Sequence, residues 1–402
     1  MGKKQGYAIT TYCLRLRCNH PEWLEETQKF YNRIQKFYYD LYLKHSELWN
    51  ENSQNALRGL EILSIPGRKR EVVEEPLPWK EALLYFRRAA ANAGIAAAKS
   101  YLARTEVKEY VGMTETFHSA VTYYKGMYQE LTENSIELRV WTGTEWRWMH
   151  CRLSGRSIPQ EAKIMSPSVM FEKPYVMLHI PIKEIVQDAS SVKERIAEGR
   201  NICGIQFGNR NIFAVASVMN AEKKEVAVHF FKGGNEYTHR YLNIIEHIEK
   251  SYASHGENGE GQINRKYWMK LKHLNNDYAH RVSRELVDFF KRKEVGIIVF
   301  PKYLEEYEKN VKKGSGNYSA LHLSTKIKEY ITYKAWQEGI LVIDVQAKDT
   351  QKICAVCGGE IVEKDKTRQE SICVNGHRSN QYLNVARNIS KKCLKQFQKK
   401  KN

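Results

Sequence analysis

The segment CGIQFGNRNIFAVAS (residues 203–217) decides the fold. Two β-rich apolar runs flank Gly208 and Asn209, and turn formers between such runs predict a β-hairpin. Downstream, residues 226–231 read as a third strand and residues 267–291 as a long helix. That helix carries Leu271, Leu274, Tyr278, Val282, Leu286 and Phe289 on one stripe. A strand over 295–300, a further helix and a strand over 340–345 complete the series. Strands joined by crossover helices imply an α/β layer fold. At the middle of the first strand stands an amide, Gln206.

Upstream, residues 7–18 alternate Leu14 and Leu16 with Arg15 and Arg17, which predicts a strand. Strand character returns over 135–183, with a hairpin about Gly143 and a further strand at YVMLHIPI (residues 175–182). Between these β-rich parts, Phe30, Ile34, Phe37 and Leu41 recur at spacings of three and four, predicting a helix over 23–49. A second helix is expected over 79–102, including AAANAGIAAAKS, and a third over 114–131. A small barrel made from the first strand and the later β-rich segment, with helices inserted between, accounts for this order.

The chain's 402 residues suffice for two or three packed domains. It shows neither a charged-then-apolar leader nor an apolar run of about 18 residues, so a soluble intracellular protein is expected. Lys and Arg total 64 against 46 Asp and Glu, a net charge of +18 that favours a polyanionic partner such as RNA or DNA. The 24 Tyr and 8 Trp offer rings on which bases can stack, although packing in helix interfaces is the commoner use of Tyr.

Three of the eight cysteines cluster near the C-terminus, in CAVCGGEIVEKDKTRQESICVNGH. Cys354 and Cys357 are separated by two residues, a spacing that lets both sulfurs reach one tetrahedral Zn²⁺. Fifteen residues later come Cys373 and, after three more, His377. Gly376 stands where a fourth sulfur would usually fall, so His377 completes a three-Cys, one-His set; the alternative is a metal-free loop of reduced thiols. Four protein ligands leave no open position, which makes such a zinc structural and not catalytic.

In order, GIQFGNRNIFAV, VGIIVFPKYL, ITYKAWQEGILVIDV, TQKICAVCGG and NQYLNVARNIS resemble the RuvC motifs and interleaved zinc ribbon of TnpB-like proteins and miniature type V CRISPR effectors. The resemblance covers about residues 203–390. It implies a multidomain α/β protein: an RNase H-like (RuvC) domain at 191–349 and 379–402, holding a zinc ribbon at 350–378. A wedge-like β-barrel at 1–20 and 132–190, interrupted by a helical recognition domain at 21–131, would precede it. It also implies a structured guide RNA, a double-stranded target DNA opened into an RNA–DNA heteroduplex, a flanking duplex motif read by protein, and a bacterial cytoplasmic, nucleoid-associated location.

The family's acidic motif positions are filled differently here. Gly-Ile-Asp-Leu-Gly becomes Gly204-Ile205-Gln206-Phe207-Gly208, a strand-ending Glu becomes Pro301, and the last motif reads Asn380-Gln381-Tyr382-Leu383-Asn384-Val385-Ala386-Arg387-Asn388-Ile389. Two-metal hydrolysis needs hard anionic oxygens to hold Mg²⁺. Gln206 offers a neutral carbonyl, Pro301 no side-chain ligand, and Tyr382 a phenol with a pKa near ~10, so no catalytic Mg²⁺ is expected. The reading is a nuclease-inactive, RNA-guided DNA-binding protein that represses transcription by occupying its target. Alternatives are recruitment of transcription or transposition machinery, cleavage through substitute carboxylates (Glu305, Glu306, Asp344 or Asp349), and a guide-free DNA-binding regulator. Expected nucleic-acid contacts are Arg15, Arg17, Arg87, Arg88, Lys270, Arg281 and the tail Lys391, Lys392, Lys395, Lys399, Lys400 and Lys401, each equally suited to a solvated surface.

Overall fold

The computed structural model describes residues 6–67, 72–106, 112–159, 163–172, 174–255, 264–303, 320–365 and 367–398. They form two compact units, Ile9–Glu184 and Met1–Ala8 with Ile185–Asn402.

In the unit Ile9–Glu184 an eight-stranded sheet and three helices share one core. The strands are β1 (Gly6–Cys18), β2 (Val121–Thr122), β3 (Tyr128–Gln129), β4 (Ser135–Trp141), β5 (Trp146–Ser154), β6 (Lys163–Ile164), β7 (Ser168–Glu172) and β8 (Tyr175–Val186). They pair in the order β2-β7-β8-β1-β5-β4-β3, with β6 on β8. Along β1, Tyr12, Leu14 and Leu16 are buried while Cys13 and Arg17 are exposed, the alternation of a sheet with one packed face.

The helices are α1 (Pro21–Lys44), α2 (Ser53–Ser64) and α3 (Leu84–Thr105). The alanine-rich stretch of α3 is a close-packing surface: a Cβ at Gly94 would lie 2.7 Å from the Gln35 carbonyl oxygen of α1. Ala90, Ala91 and Ala98 are buried beside it. The apolar spacing does not announce α2, which begins at an Asn52 cap whose side chain accepts from Asn55 N at 3.0 Å.

Residues 114–131, expected to be helical, are not. They hold β2, β3 and a turn in which Gly126 takes a φ of +93° and Met127 N bonds Tyr124 O at 2.9 Å. Val121 pairs with Val169, so a long-range ladder overrides the local spacing. Two strands of the sheet therefore lie within 21–131, the segment assigned above to helices.

The second unit contains β9 (Asn201–Phe207), β10 (Ile212–Met219), β11 (Glu225–Lys232), β12 (Val295–Lys302) and β13 (Leu341–Gln346), ordered β11-β10-β9-β12-β13. The first three pair antiparallel, and β12 runs parallel to both β9 and β13. Its helices are α4 (Val192–Ala197), α5 (Gly234–His255), α6 (Arg265–Arg292), α7 (Ser324–Gln337) and α8 (Gln381–Gln398). α6 and α7 cover one face through Val282, Leu286, Ile327 and Ile331; α8 covers the other through Ile389 and Leu394. With both faces covered, every residue of β10 is buried, which is why its sequence is a continuous apolar run. Strands β14 (Ile361–Asp365), β15 (Glu370–Cys373) and β16 (Arg378–Asn380) form a separate antiparallel ribbon ahead of α8. Among the described residues no helix is long and apolar enough to cross a membrane.

Candidate functional site

The register of β9 and β12 sets Val299 beside Gly204, and continuing it by two residues brings Pro301 level with Gln206. Residues alternate between faces. Ile202, Ile297 and Val299 share a core with α8, whereas Cys203, Ile205, Ile298 and Phe300 face α6 and α7. By that parity Gln206 and Pro301 lie on the α8 side, at the C-terminal ends of parallel neighbours. Gly204 lets α8 press directly on β9, since a Cβ there would lie 2.0 Å from Ala386 O. Tyr382 is one turn before Ala386, at the start of α8. Burial raises its phenol above the ordinary value, against the opposing pull of Arg210 and a hydrogen bond with the Asn209 backbone. Strand ends and helix start thus bring Gln206, Pro301 and Tyr382 to one end of the sheet.

That end is organised by neutral groups. The Gln206 amide donates to Phe207 O at 2.9 Å and accepts from the Tyr303 hydroxyl at 2.8 Å. Gln351 Nε2 donates in turn to Tyr303 Oη at 3.4 Å. Asn380, at the first polar position of the last motif, caps α8 by accepting from Tyr382 N and Leu383 N at 3.0 and 3.2 Å. Of the four substitute carboxylates, Asp344 is paired with Lys328 at 2.7 Å and Asp349 is exposed. Glu305 and Glu306 lie outside the described residues.

Cys354, Cys357, Cys373 and His377 come together, their ligand atoms all within 4.8 Å of one another. The sulfurs of Cys357 and Cys373 are 3.7 Å apart, and Cys373 Sγ is 3.4 Å from His377 Nδ1. Zinc–sulfur bonds of about 2.3 Å and zinc–nitrogen bonds of about 2.0 Å at tetrahedral angles put such pairs about 3.8 and about 3.5 Å apart. The donor set and its spacing therefore fit Zn²⁺. Hydrogen bonds from Gly359 N (3.4 Å) and Asn375 Nδ2 (3.3 Å) to Cys357 Sγ lower that thiol to about 6, toward the thiolate a metal requires.

Two asparagines that composition and spacing do not mark tie this cluster to α8. Asn384 accepts from Ala355 N at 2.7 Å and donates to Ile353 O at 2.8 Å. Asn388 donates to Thr350 O and Ile353 O at 3.0 and 2.7 Å.

The basic residues divide. Arg87 and Arg88 both clasp Glu61, at 3.0 Å and at 2.8–2.9 Å. Burial would raise that carboxyl, but their hydrogen bonds hold it below the ordinary range. Their charges are engaged inside the fold. Arg15 stacks 3.8 Å over the Tyr175 ring, and Arg281 lies 4.2 Å over Tyr278. Lys391 and Lys392 donate to Ala355 O and Lys348 O, and with Lys395 they line a cleft of about 500 Å³ against the first knuckle. Arg17 and Lys270 are exposed; Lys399, Lys400 and Lys401 lie outside the described residues. Cross-strand register supplies candidates that a linear reading misses. Arg152 sits opposite Arg17, and Arg139 opposite an exposed Trp148. Arg17 and Arg152 are exposed, form no ion pair among the described residues, and as like charges repel across the ladder.

Residues 325–389 match the family described as Cas12f1-like, TNB domain, and residues 8–142 match the Aq_aa04 family. The TnpB-like proteins L79 and L770 of Acanthamoeba polyphaga mimivirus are each 25% identical over 215 residues, 52% of this chain. The match takes in 40% of each of those proteins. The fold is similar to that in a cryo-EM structure of the Cas12f1-sgRNA-target DNA complex, with a TM-score of 0.61 and 14% identity over 92% of this chain and 81% of that one. It is also similar to the mini-RNA-guided endonuclease CRISPR-Cas_phi3, with a TM-score of 0.52 and 8% identity over 98% and 93% of the two chains. In its matched domain, sequence and fold the chain is similar to TnpB-like proteins and miniature type V effectors.

Proposed function

We propose that this protein is an RNA-guided DNA-binding protein without nuclease activity. It carries a structured guide RNA, occupies a matched DNA duplex next to a short flanking motif, and represses transcription there, in the compartment that holds the DNA. Base pairing reads the sequence, while the protein supplies backbone contacts. In this reading the five-stranded sheet with α8 is an RNase H-like domain (191–349 and 379–402), 350–378 is its zinc ribbon with Cys354, Cys357, Cys373 and His377 on a structural Zn²⁺, and the eight-stranded sheet is a wedge-like domain. Arg15, Arg17, Lys270, Arg281, Lys391, Lys392 and Lys395, joined by Arg139 and Arg152, touch phosphates.

The observation that carries the inactive reading is chemical. Gln206, Pro301 and Tyr382 stand where the family motifs have carboxylates, and among the described residues the Cys354–His377 cluster is the only group of three or more metal-ligating side chains. Without anionic oxygens there is nothing to strip water from Mg²⁺ and hold two ions on a phosphate. The guide complex, incubated with matched duplex and Mg²⁺ or Mn²⁺, is expected to retard the DNA and leave both strands intact; cleaved strands overturn the proposal.

A further inference from the structure

Cys18, the last residue of β1, and Cys151 of β5 are direct partners in an antiparallel ladder. Both lie on the inward face, in alternation with the buried Leu16 on one strand and the buried Met149 and Leu153 on the other. The Cys151 thiol donates to Met149 O at 3.6 Å, its sulfur also acts on the Cys18 thiol opposite, and neither cysteine is in a disulfide. Opposed Cα atoms in antiparallel strands are about 4.5–5.5 Å apart, inside the about 4.4–6.8 Å that a disulfide spans. The register thus places the two residues within the Cα span of a disulfide. Cys13, the other cysteine of β1, points to the opposite face and is not a rival partner.

The pair is also asymmetric. The Cys151 hydrogen bond, outweighing partial burial, holds the Cys18 thiol below its ordinary value, while the same contact and burial push Cys151 up. Cys18 is half-buried and Cys151 fully buried, so the sulfur with more thiolate character is also the one a small oxidant reaches. Close by, the buried Tyr123 hydroxyl has no hydrogen-bond partner among the described residues, and its phenol is raised by burial and then by Cys151 and Cys18.

We propose that Cys18 and Cys151 form a redox modification site, closed to a cross-strand disulfide by hydrogen peroxide and reopened by thiol reductants. The Cys18 thiolate attacks one peroxide oxygen; the S–O bond forms, the O–O bond breaks, and the departing hydroxide takes up a proton as water. The Cys151 sulfur then attacks Cys18, the S–S bond forms, the S–O bond breaks, and hydroxide leaves with the Cys151 proton as a second water. Two electrons pass from the thiols to the peroxide. The bond pins β1 to β5 one residue beyond the exposed Arg17–Arg152 pair, where the chain leaves the sheet for α1. It rests on strand register and thiol contact alone and stands apart from the nuclease-inactive reading.

The test treats the reduced, full-length protein with hydrogen peroxide, blocks remaining thiols with N-ethylmaleimide, and maps peptides by mass spectrometry without reduction. The expected product is a Cys18 peptide joined to a Cys151 peptide, two hydrogens lighter than their sum and separated by dithiothreitol, with Cys13 still alkylated. In Cys151→Ser, dimedone is expected to capture Cys18 as a sulfenic acid, because the resolving thiol is gone. Full alkylation of both Cys18 and Cys151 after a peroxide dose that oxidises Cys13, or a sulfinic acid at Cys18 without any linked peptide in the unsubstituted protein, overturns the proposal.

Discussion

The zinc-type cluster and the Gln206 end of the sheet are both held by α8, yet they differ in what holds them together. In the ribbon, three short strands and four ligand atoms within 4.8 Å are the structure, and little apolar core lies beneath them. At the Gln206 end, β9 and β12 are fixed by an apolar core of Ile202, Ile297, Val299, Ile389 and Leu394. A metal site that folds its own surroundings cannot lose a ligand without losing the fold. A site mounted on an independent core keeps its shape whichever side chains line it, and in the proposed reading that asymmetry accounts for a chain that keeps its zinc ligands but not its carboxylates.

The contrast breaks most visibly if the ribbon survives without metal. Structural zinc in small domains contributes about 10–16 kcal/mol of apparent binding free energy. Cys373→Ser is therefore expected to lose the metal and to unfold residues 350–378 while the five-stranded sheet persists. Elemental analysis and amide hydrogen exchange would check this, and protected β14–β15 amides in a zinc-free variant would refute it.

A smaller effect is expected at the contact the two regions share. In Gly204→Ala the new methyl meets Ala386 O, a backbone atom that cannot rotate away. Overpacking costs about 1–3 kcal/mol and occasionally more, and here at least about 3 kcal/mol of unfolding free energy is expected. Because α8 anchors the knuckle through Asn384 and Asn388, the variant should also hold zinc less tightly. An unshifted urea midpoint would mean that α8 does not bear on β9 at that point.

How much of this was legible in sequence follows from the range of the interactions. The cysteine cluster was readable in full because its ligands are close along the chain and their spacing is itself the chemistry. The β9–β10 hairpin was readable from Gly208 and the apolar runs. α5 was not, since its Asn, His, Tyr and Ser residues favour no helix locally and its stripe of Ile244, Ile245 and Ile248 is stabilised by Leu271 and Tyr267 of α6. β2 and β3 were not, because their partners lie outside residues 114–131: Val121 pairs with Val169 of β7 and Tyr128 with Leu138 of β4. Gln206, Pro301 and Tyr382 stand out within their motifs, but their shared position depends on a parallel register and a helix crossing that only the fold supplies. Likewise, nothing linear foretold that Arg87 and Arg88 would be engaged by Glu61 or that Arg152 would face Arg17.

Adding charge sharpens the comparison from the other side. With Gln206→Asp, Pro301→Glu and Tyr382→Asp combined, three carboxylates converge at one end of the sheet and repel. In chelator the variant should lose about 1–3 kcal/mol, and Mg²⁺ should return part of it by binding the folded form. The unsubstituted protein should unfold at the same temperature with or without Mg²⁺. A rise with Mg²⁺ in that protein would show that the Gln206 end binds the cation after all.

The smallest effect belongs to Tyr382→Phe, which separates the phenol's hydrogen bond from its ring. Removing the hydroxyl should cost about 0.5–1.5 kcal/mol at neutral pH through the lost Asn209 contact. Burial raises the folded-state phenol pKa, so the folded protein keeps that proton where the unfolded chain has released it. The associated stability is fully present below about pH 10 and is lost as pH rises through the folded value. The variant should therefore lose less stability than the parent above about pH 10. Tyr31, Tyr123 and Tyr237 are raised in the same direction by burial, so both proteins retain most of the alkaline decline and only the difference between their curves reports on Tyr382. Parallel curves would mean that the ring is as wet in the fold as in the unfolded chain, leaving that end of the sheet open to water and to a hydrated cation.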